Sequence, residues 1–215
     1  MKSRIHATLA LATLLAALAA AGCSTTRVTV DGIEPVPFVP VNHSGVDRLP
    51  AELRRVVVLP ASGGTDELDA VLVAALQRRN RFEVIALSRV ECMRRFRREE
   101  FSSAGALPPG FLEMIGREWA ADAVLFIDVT TERSIRPLAL GLRAKLASIE
   151  DVRLLWTFDN VFSLAEPAVA AAARRHYLAG EGASEIADRS AAVFQSPRRF
   201  AAYASDSTFA TLPPR

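Results

Sequence analysis

The first regular pattern along the chain is an unbroken apolar run at residues 56–59, closed by Pro60. Such a run is typical of a strand that is buried on both faces. Thr65 is a favourable N-cap, and after it apolar residues recur at helical spacing, namely Leu68, Val71, Leu72, Ala75 and Leu76. The pattern therefore predicts a strand and then an amphipathic helix that ends near Asn80.

A second strand and a second helix follow. Residues 82–87 have the composition of a strand, and Ser88 caps a helix that extends to about Glu99. A polar loop at 101–107 leads to a third helix at about 110–120. Because the first two strands are joined by a short helical connection, we expect them to pair in parallel through a right-handed crossover.

Three more strands are predicted in the middle of the chain. Residues 122–129 form the most apolar strand, which we expect at the centre of the sheet. Residues 138–149 alternate between apolar and polar positions, as in a half-exposed strand, and 152–158 pairs with them through a turn at 150–151. The predicted fold is a single α/β domain with a mixed five-stranded sheet. Its N-terminal strands are parallel, its C-terminal strands form an antiparallel meander, and helices pack on it.

The C-terminal part of the chain is predicted to be helical. An alanine-rich helix begins at 165–167 and ends near Leu178, with Gly180 as its C-cap signal. A further helix at 183–194 and a short one at 198–204 are expected. Residues 206–215 are expected to form a loose tail.

The N-terminal residues look like a targeting segment and a tether. Lys2 and Arg4 precede an apolar run at 7–21 that is too short for a comfortable membrane span and ends in small residues. Residues 24–50 contain four prolines and no sustained period, although short runs at 28–30 and 36–41 are candidate edge strands. The predicted organisation is a signal peptide (1–22), a lipidated cysteine with a Pro-rich tether (23–50), an α/β domain (51–205) and the tail (206–215).

The residues Leu18-Ala19-Ala20-Ala21-Gly22-Cys23 resemble the lipobox of bacterial lipoproteins, with Ala20 where leucine is usual. The resemblance implies cleavage before Cys23, acylation of this cysteine with chains such as palmitate, and stable attachment to a bilayer. Ser24 in place of aspartate resembles the sorting rule for the outer membrane. The other interpretation is a plain secretory signal with a chance cysteine.

Composition excludes some partners and some chemistry. The net charge is +2, and removal of Lys2 and Arg4 leaves equal numbers of basic and acidic residues, which argues against nucleic acid. Only Cys23 and Cys92 are present, so an acylated Cys23 leaves no intrachain disulfide. We expect Cys92 to be a buried small hydrophobe, with a reactive thiol as the alternative.

Catalytic and metal-binding patterns are weak. The mature chain has two histidines, His43 and His176, without metal-ligand spacing, and we expect neither a metal nor a cofactor. Asp128 with Glu132, in or after the third strand, is a candidate acid–base pair, and Asp159 follows the last strand. Solvated strand ends are the commoner explanation of these carboxylates. Residues 63–65 form either an anion cradle before a helix or a plain turn.

Arginines provide the candidate contact sites. Two basic clusters are either solvated helix faces or contacts for lipid phosphates or an acidic partner: Arg78, Arg79 and Arg81, then Arg94, Arg95, Arg97 and Arg98. Arg133, Ser134 and Arg136 lie in the predicted loop at 131–137, which is a possible partner-contact loop because polar loops on a rigid sheet often bind.

The order of elements behind a lipobox is similar to a group of bacterial envelope proteins. The residues that carry the resemblance are the strands at 54–60, 81–85 and 121–125. The group includes the curli-secretion lipoprotein CsgG, the lipoproteins that activate penicillin-binding proteins, the amino-terminal domain of TolB, and putative lipoproteins of the same fold class. The resemblance implies a non-enzymatic accessory role in envelope assembly or secretion.

We therefore expect a lipoprotein held by Cys23 in the inner leaflet of the outer membrane, with its domain facing the periplasm. Its expected partners are the bilayer, other envelope proteins and possibly further copies of itself, but not nucleic acid. Two alternatives remain open at this point, namely a CsgG-like subunit of an outer-membrane secretion complex and a lipid-anchored hydrolase.

Overall fold

One mixed sheet organises the structure. The computed structural model describes residues 38–180 and 194–215, which contain β1 (His43–Gly45), β2 (Arg55–Val58), β3 (Glu83–Ala86), β4 (Ala123–Arg133), β5 (Ala139–Ser148) and β6 (Leu154–Ser163). The spatial order is β1-β6-β5-β4-β2-β3. β2 pairs in parallel with β3 and β4, and the remaining pairs are antiparallel. The predicted mixed α/β class is confirmed.

Within the described residues five helices cover the sheet, and the N-caps of the first two agree with the sequence pattern. They are α1 (Asp66–Arg78), α2 (Arg89–Phe96), α3 (Phe111–Trp119), α4 (Pro167–Gly180) and α5 (Pro197–Phe209). Thr65 Oγ1 accepts a hydrogen bond from Leu68 N at 3.2 Å, and Ser88 Oγ accepts one from Glu91 N at 3.1 Å. The helix predicted at 183–194 lies almost wholly outside the described residues.

The two faces of the sheet bury different sets of residues. The first face packs against α1, α4 and α5 with a core that includes Val56, Leu125, Leu142, Leu146, Trp156 and Phe158. The second face packs against α2 and α3 through a smaller core that includes Val57, Leu59, Val124 and Phe126. The helices therefore lie on both sides of the parallel strands, as a βαβ arrangement requires.

The sheet differs from the prediction at its β1 edge. The described residues form six strands instead of five, because His43–Gly45 from the predicted tether pairs with β6. All three residues of β1 are exposed, so no hydrophobic pattern marks the strand, and backbone hydrogen bonds hold it in place. The expected edge strand at 36–41 is not formed at residues 38–41, where Val39 and Val41 are exposed.

The C-terminal residues are packed and not loose. α5 continues to Phe209, beyond the short helix predicted at 198–204, and Phe209 and Leu212 are buried. Pro214 O accepts a hydrogen bond from Leu49 N at 2.8 Å, and Arg215 donates to the carbonyl oxygens of Arg81 and Ala51. Buried apolar side chains and backbone pairing thus hold this segment on the domain.

A register shift in β4 decides which side chains share a face. Asp128 lies opposite Arg143 of β5, but a shift between Val129 and Thr131 then places Glu132 opposite Leu140. Leu140 belongs to the first core. An extra residue in a strand reverses the alternation of faces, so Asp128 and Glu132 lie on opposite faces of the sheet.

Within the described ranges, no helix has both the length and the apolar character needed to cross a membrane.

Candidate functional site

A groove lies where the N-termini of α1 and α5 meet the end of the β4–β5 hairpin. It encloses about 90 Å³. Its floor is apolar and nearly buried, and consists of Leu68, Val71, Leu138, Leu140, Phe200 and Ala201. The rim carries both signs of charge, namely Glu67, Glu132, Arg133 and Arg198. An apolar floor with a few polar groups around it is the usual character of a binding site.

The predicted contact loop forms one wall of this groove. Arg133 and Ser134 line it, and Arg136 is exposed two residues further on. Between them Ile135 is 82% exposed. Arg133 lies at the end of β4 and not in the loop itself. The loop therefore places one exposed apolar side chain beside the apolar floor of the groove.

The polar side chains on the rim of the groove make weak contacts with one another. Arg198 Nη1 lies 3.8 Å from Glu67 Oε1, and Ser134 Oγ lies 3.4 Å from Glu132 Oε1. Both contacts are long and both involve exposed residues, so they contribute little to stability. The charged side chains of the rim are therefore free to reorient toward a bound partner.

The candidate carboxylate pair does not form an acid–base site. Asp128 is 8% exposed, and it accepts hydrogen bonds from the backbone N and the hydroxyl of Ser103. Glu132 is exposed on the other face of the sheet, at the groove. Asp159 is bound by Arg143 Nε at 2.8 Å. Asp128 therefore anchors a loop, and the two carboxylates cannot act on one substrate atom.

The loop at 63–65 is already filled by a carboxylate of this chain. Glu100 Oε1 accepts hydrogen bonds from Ser62 Oγ and Gly63 N, each at 3.1 Å, and Arg89 Nη1 donates to Glu100 Oε2 at 2.7 Å. Burial would raise the pKa of Glu100, but the hydrogen bonds from Arg89, Gly63 and Ser62 lower it below its ordinary value. The donors that an anion would need are occupied.

This loop follows β2, at the point in the sheet where the chain connections change from one face to the other. β2 has β3 on one side and β4 on the other, and the two connections cross opposite faces of the sheet. In open α/β sheets, ligands bind in the crevice at the carboxyl end of such a strand. Here Arg89 also contacts Ala61 O at 2.7 Å and Asp69 Oδ2 at 3.1 Å, which closes the crevice.

The surroundings of His43, His176 and Cys92 do not indicate a catalytic or metal-binding role. His43 lies in the exposed strand β1, whereas His176 Nε2 lies 2.7 Å from Asp206 Oδ2. Cys92 is fully buried, and this burial raises the pKa of its thiol to about 11, with the charge of Glu91 acting in the same direction. The prediction of a buried small hydrophobe at this position is confirmed.

The remaining points concern the lipidation site, metal binding and the other walls of the groove. Cys23 lies outside the described residues. Within 38–180 and 194–215, no group of three or more His, Cys, Asp or Glu side chains is arranged to hold a metal ion. The groove walls at 65–71 and 197–201 were not predicted from the sequence, because their contact depends on tertiary packing that no local pattern reveals.

The fold is that of a mixed α/β domain. Comparison of the chain with known proteins gives only partial structural similarity. No family model and no curated protein matches the chain. Among solved structures it is similar to a PelC dodecamer from Paraburkholderia phytofirmans, with 12% identity, a TM-score of 0.46, and coverage of 80% of this chain and 96% of that one. It is also similar to lipoprotein GNA1162 from Neisseria meningitidis, with 20% identity, a TM-score of 0.39, and coverage of 51% and 79%.

A third partial likeness is to the hypothetical protein CT253 from Chlamydia trachomatis, with 12% identity, a TM-score of 0.32, and coverage of 51% of this chain and 69% of that one. Such scores assign no function to this chain. They also leave the resemblance to CsgG, to the activators of penicillin-binding proteins and to TolB unconfirmed, so that resemblance stays a prediction.

Proposed function

We propose that this protein is a membrane-anchored envelope lipoprotein that acts by binding other envelope proteins, without catalysis of its own. The proposed attachment is through acylated Cys23, with the α/β domain in the periplasm. The observation that carries the binding role is the groove between α1, α5 and the β4–β5 loop, with its apolar floor and charged rim.

The shape of the groove indicates the kind of partner. Its floor offers buried apolar surface to one or two inserted side chains, and Ile135 offers a protruding one in return. Arg133 and Arg198 on the rim then provide hydrogen-bond donors for backbone carbonyls or carboxylates of the partner. We infer that the partner is a protein segment that inserts apolar side chains among polar contacts, because interface cores are apolar and their rims are polar.

A site-specific crosslinking experiment tests the groove. A photoreactive amino acid in place of Ile135 should give a discrete adduct in intact cells, and the same group in place of Val161, which is 44% exposed on β6, should not. The double variant R133E/R136E should remove the adduct because it reverses the charge of the contact loop. An adduct that forms equally from Val161, or that survives R133E/R136E, would contradict the proposed site.

The anchor is tested separately. Cys23→Ser should abolish palmitate labelling and shift the protein out of the lipid-modified membrane fraction, since the acyl chains supply the binding energy. A parent protein that carries no palmitate, together with unchanged membrane attachment of the variant, would contradict the lipobox prediction.

A further inference from the structure

The outward face of α2 exposes apolar side chains next to arginines. Val90 is 68% exposed and Met93 is 40% exposed. Cys92 and Phe96 of the same helix point inward and pack in the second core. Because successive residues of a helix are 100° apart, Arg94 shares with Val90 the face opposite Cys92. Arg97 is the C-cap, and Arg98 follows it beyond the helix end.

The arginines of this region fall into two groups. Arg89 is bound to Glu100, and Arg95 pairs with Glu118 of α3. The side chains of Arg94, Arg97 and Arg98 are exposed and make no hydrogen bond or ion pair with any residue that the structure describes. Their charges are opposed by two nearby acidic residues, the half-buried Glu91 on the flank of the helix and the exposed Glu99 after it. The outward face itself therefore carries positive charge beside apolar side chains.

This face lies on the other side of the sheet from the groove. α2 packs on the second face, over the core that contains Val57 and Phe126. The groove is formed by α1 and α5, which pack on the first face. A flat surface that contacts α2 would therefore leave the groove accessible.

We propose that the outward face of α2 docks the domain on an anionic phospholipid surface. Val90 and Met93 enter the interface between headgroups and acyl chains, and Arg94, Arg97 and Arg98 contact lipid phosphates. Charge complementarity favours this occupant, because two exposed apolar side chains lie beside three arginines whose side chains have no partner among the described residues. The proposed lipid anchor at Cys23 keeps the domain near the bilayer and so raises the effective concentration of lipid around α2. A weakly binding docking face is therefore sufficient.

The experiment uses the acylated full chain in vesicles and reads the surroundings of a polarity-sensitive dye. The dye is attached at V90C, and a control label is attached at L178C on α4, which packs on the first face and where Leu178 is 45% exposed. Cys92 is buried and Cys23 is acylated, so labelling is confined to the new cysteine. Vesicles consist of phosphatidylcholine with or without phosphatidylglycerol.

The fluorescence emission of the dye at V90C should shift to shorter wavelength only in vesicles that contain phosphatidylglycerol. Salt at ~1 M should reverse this shift because it screens the charges of the arginines. R94Q/R97Q should lower the docking equilibrium roughly 25-fold, since each arginine near an anionic surface contributes about a fivefold factor. The matched control is R54Q/R175Q. It removes the same charge from two exposed arginines that make no side-chain hydrogen bond or ion pair with the described residues.

Three results would overturn the proposal: equal shifts with and without phosphatidylglycerol, equal shifts at V90C and L178C, or equal losses in the two double variants. A dye at V90C that responds to an added acidic protein but never to vesicles would assign the face to a protein partner instead. Flotation of the vesicles reports the anchor independently, so failed anchoring and failed docking are distinguishable.

Discussion

Ser103 is bound to Asp128 through both of its hydrogen-bond donors. Its backbone N lies 3.0 Å from Asp128 Oδ1, and its hydroxyl donates to Oδ2. Lys145 Nζ donates to Ser103 O at 2.8 Å, so one residue joins β4, β5 and the loop that follows α2. The loop covers the carboxyl end of β2 because a buried carboxylate holds it there.

Asp128→Ala should therefore destabilise the domain by about 1–2 kcal/mol, since it leaves the partly buried donors of Ser103 without their acceptor. Urea unfolding measures the change, and proteolysis should become faster in the loop at 99–107. Glu132→Ala, an exposed change four residues away, should stay within about 0.5 kcal/mol. Equal effects of the two variants would contradict the role given to Asp128.

Arg89 holds three carboxylates and one carbonyl, so its removal should be costly. Arg89→Met leaves Asp69 and Glu100 partly buried without their cation, and we expect a loss of about 2–3 kcal/mol in the free energy of unfolding. Arg94→Met on the same helix is the control, because the exposed Arg94 has no ion pair within the described ranges. A loss below ~1 kcal/mol in Arg89→Met would show that these contacts are not stabilising.

Gly141 packs against the irregular part of β4. A Cβ added there would contact Thr130 Oγ1 and would lie 3.0 Å from the backbone N of Thr131. Gly141→Ala should cost about 1–3 kcal/mol, because the backbone must shift to accept the methyl group. Gly105→Ala meets nothing closer than 3.5 Å and should be nearly neutral in thermal unfolding. Similar melting temperatures for the two variants would contradict the close approach.

Asp206 should make stability depend on pH in the acid range. Burial would raise its pKa, but hydrogen bonds from His176 and Arg78 lower it below 3.8. A carboxylate with a depressed pKa in the folded state stabilises the protein above its unfolded pKa, and this contribution is lost as the pH falls through the folded value. The stability difference between the parent and Asp206→Asn should thus be present at neutral pH and be lost as the pH falls through the lowered pKa of Asp206.

Denaturant titrations at several pH values provide the measurement. Asp47→Asn, an exposed change in the segment after β1, should follow the parent at every pH. A difference between the parent and Asp206→Asn that persists unchanged in acid would contradict the proposed ionisation.

Cys92 should resist thiol reagents in the folded protein. Its burial and its raised pKa, about 11, leave almost no thiolate at neutral pH. Alkylation of Cys92 should therefore follow global unfolding, and its thiol should become reactive in denaturant. Rapid labelling of the native protein would mean that α2 opens readily from the sheet.

The sequence predicted the parts of the fold that have a local signal. Thr65 and Ser88 each precede an apolar period, and both cap helices as expected. β1 could not be predicted because its three exposed residues contribute only backbone pairing. Asp128 and Glu132 were expected as a carboxylate pair in or after the third strand. A spacing of four would keep them on one face of a regular strand, but the register shift in β4 separates them.

The sequence predicted only one of the walls of the candidate groove. Arg133, Ser134 and Arg136 were recognisable as a polar loop between strands, and the structure places them at or beside the groove. The opposite walls at 65–71 and 197–201 are far away in sequence. Their approach depends on how α1 and α5 pack together on the first face, which is a property of the assembled core.

The pairing of Leu49 with Pro214 has a mechanical consequence. The chain enters the domain along β1, passes Leu49, and is clasped there by the C-terminal residues, so both ends of the domain meet at one point. Tension applied through the chain before Phe38 would first load the hydrogen bonds between β1 and β6 and then this clasp. The sheet interior and the groove would carry the load only after these contacts had broken, so a pull on this segment would leave the shape of the groove unchanged until then.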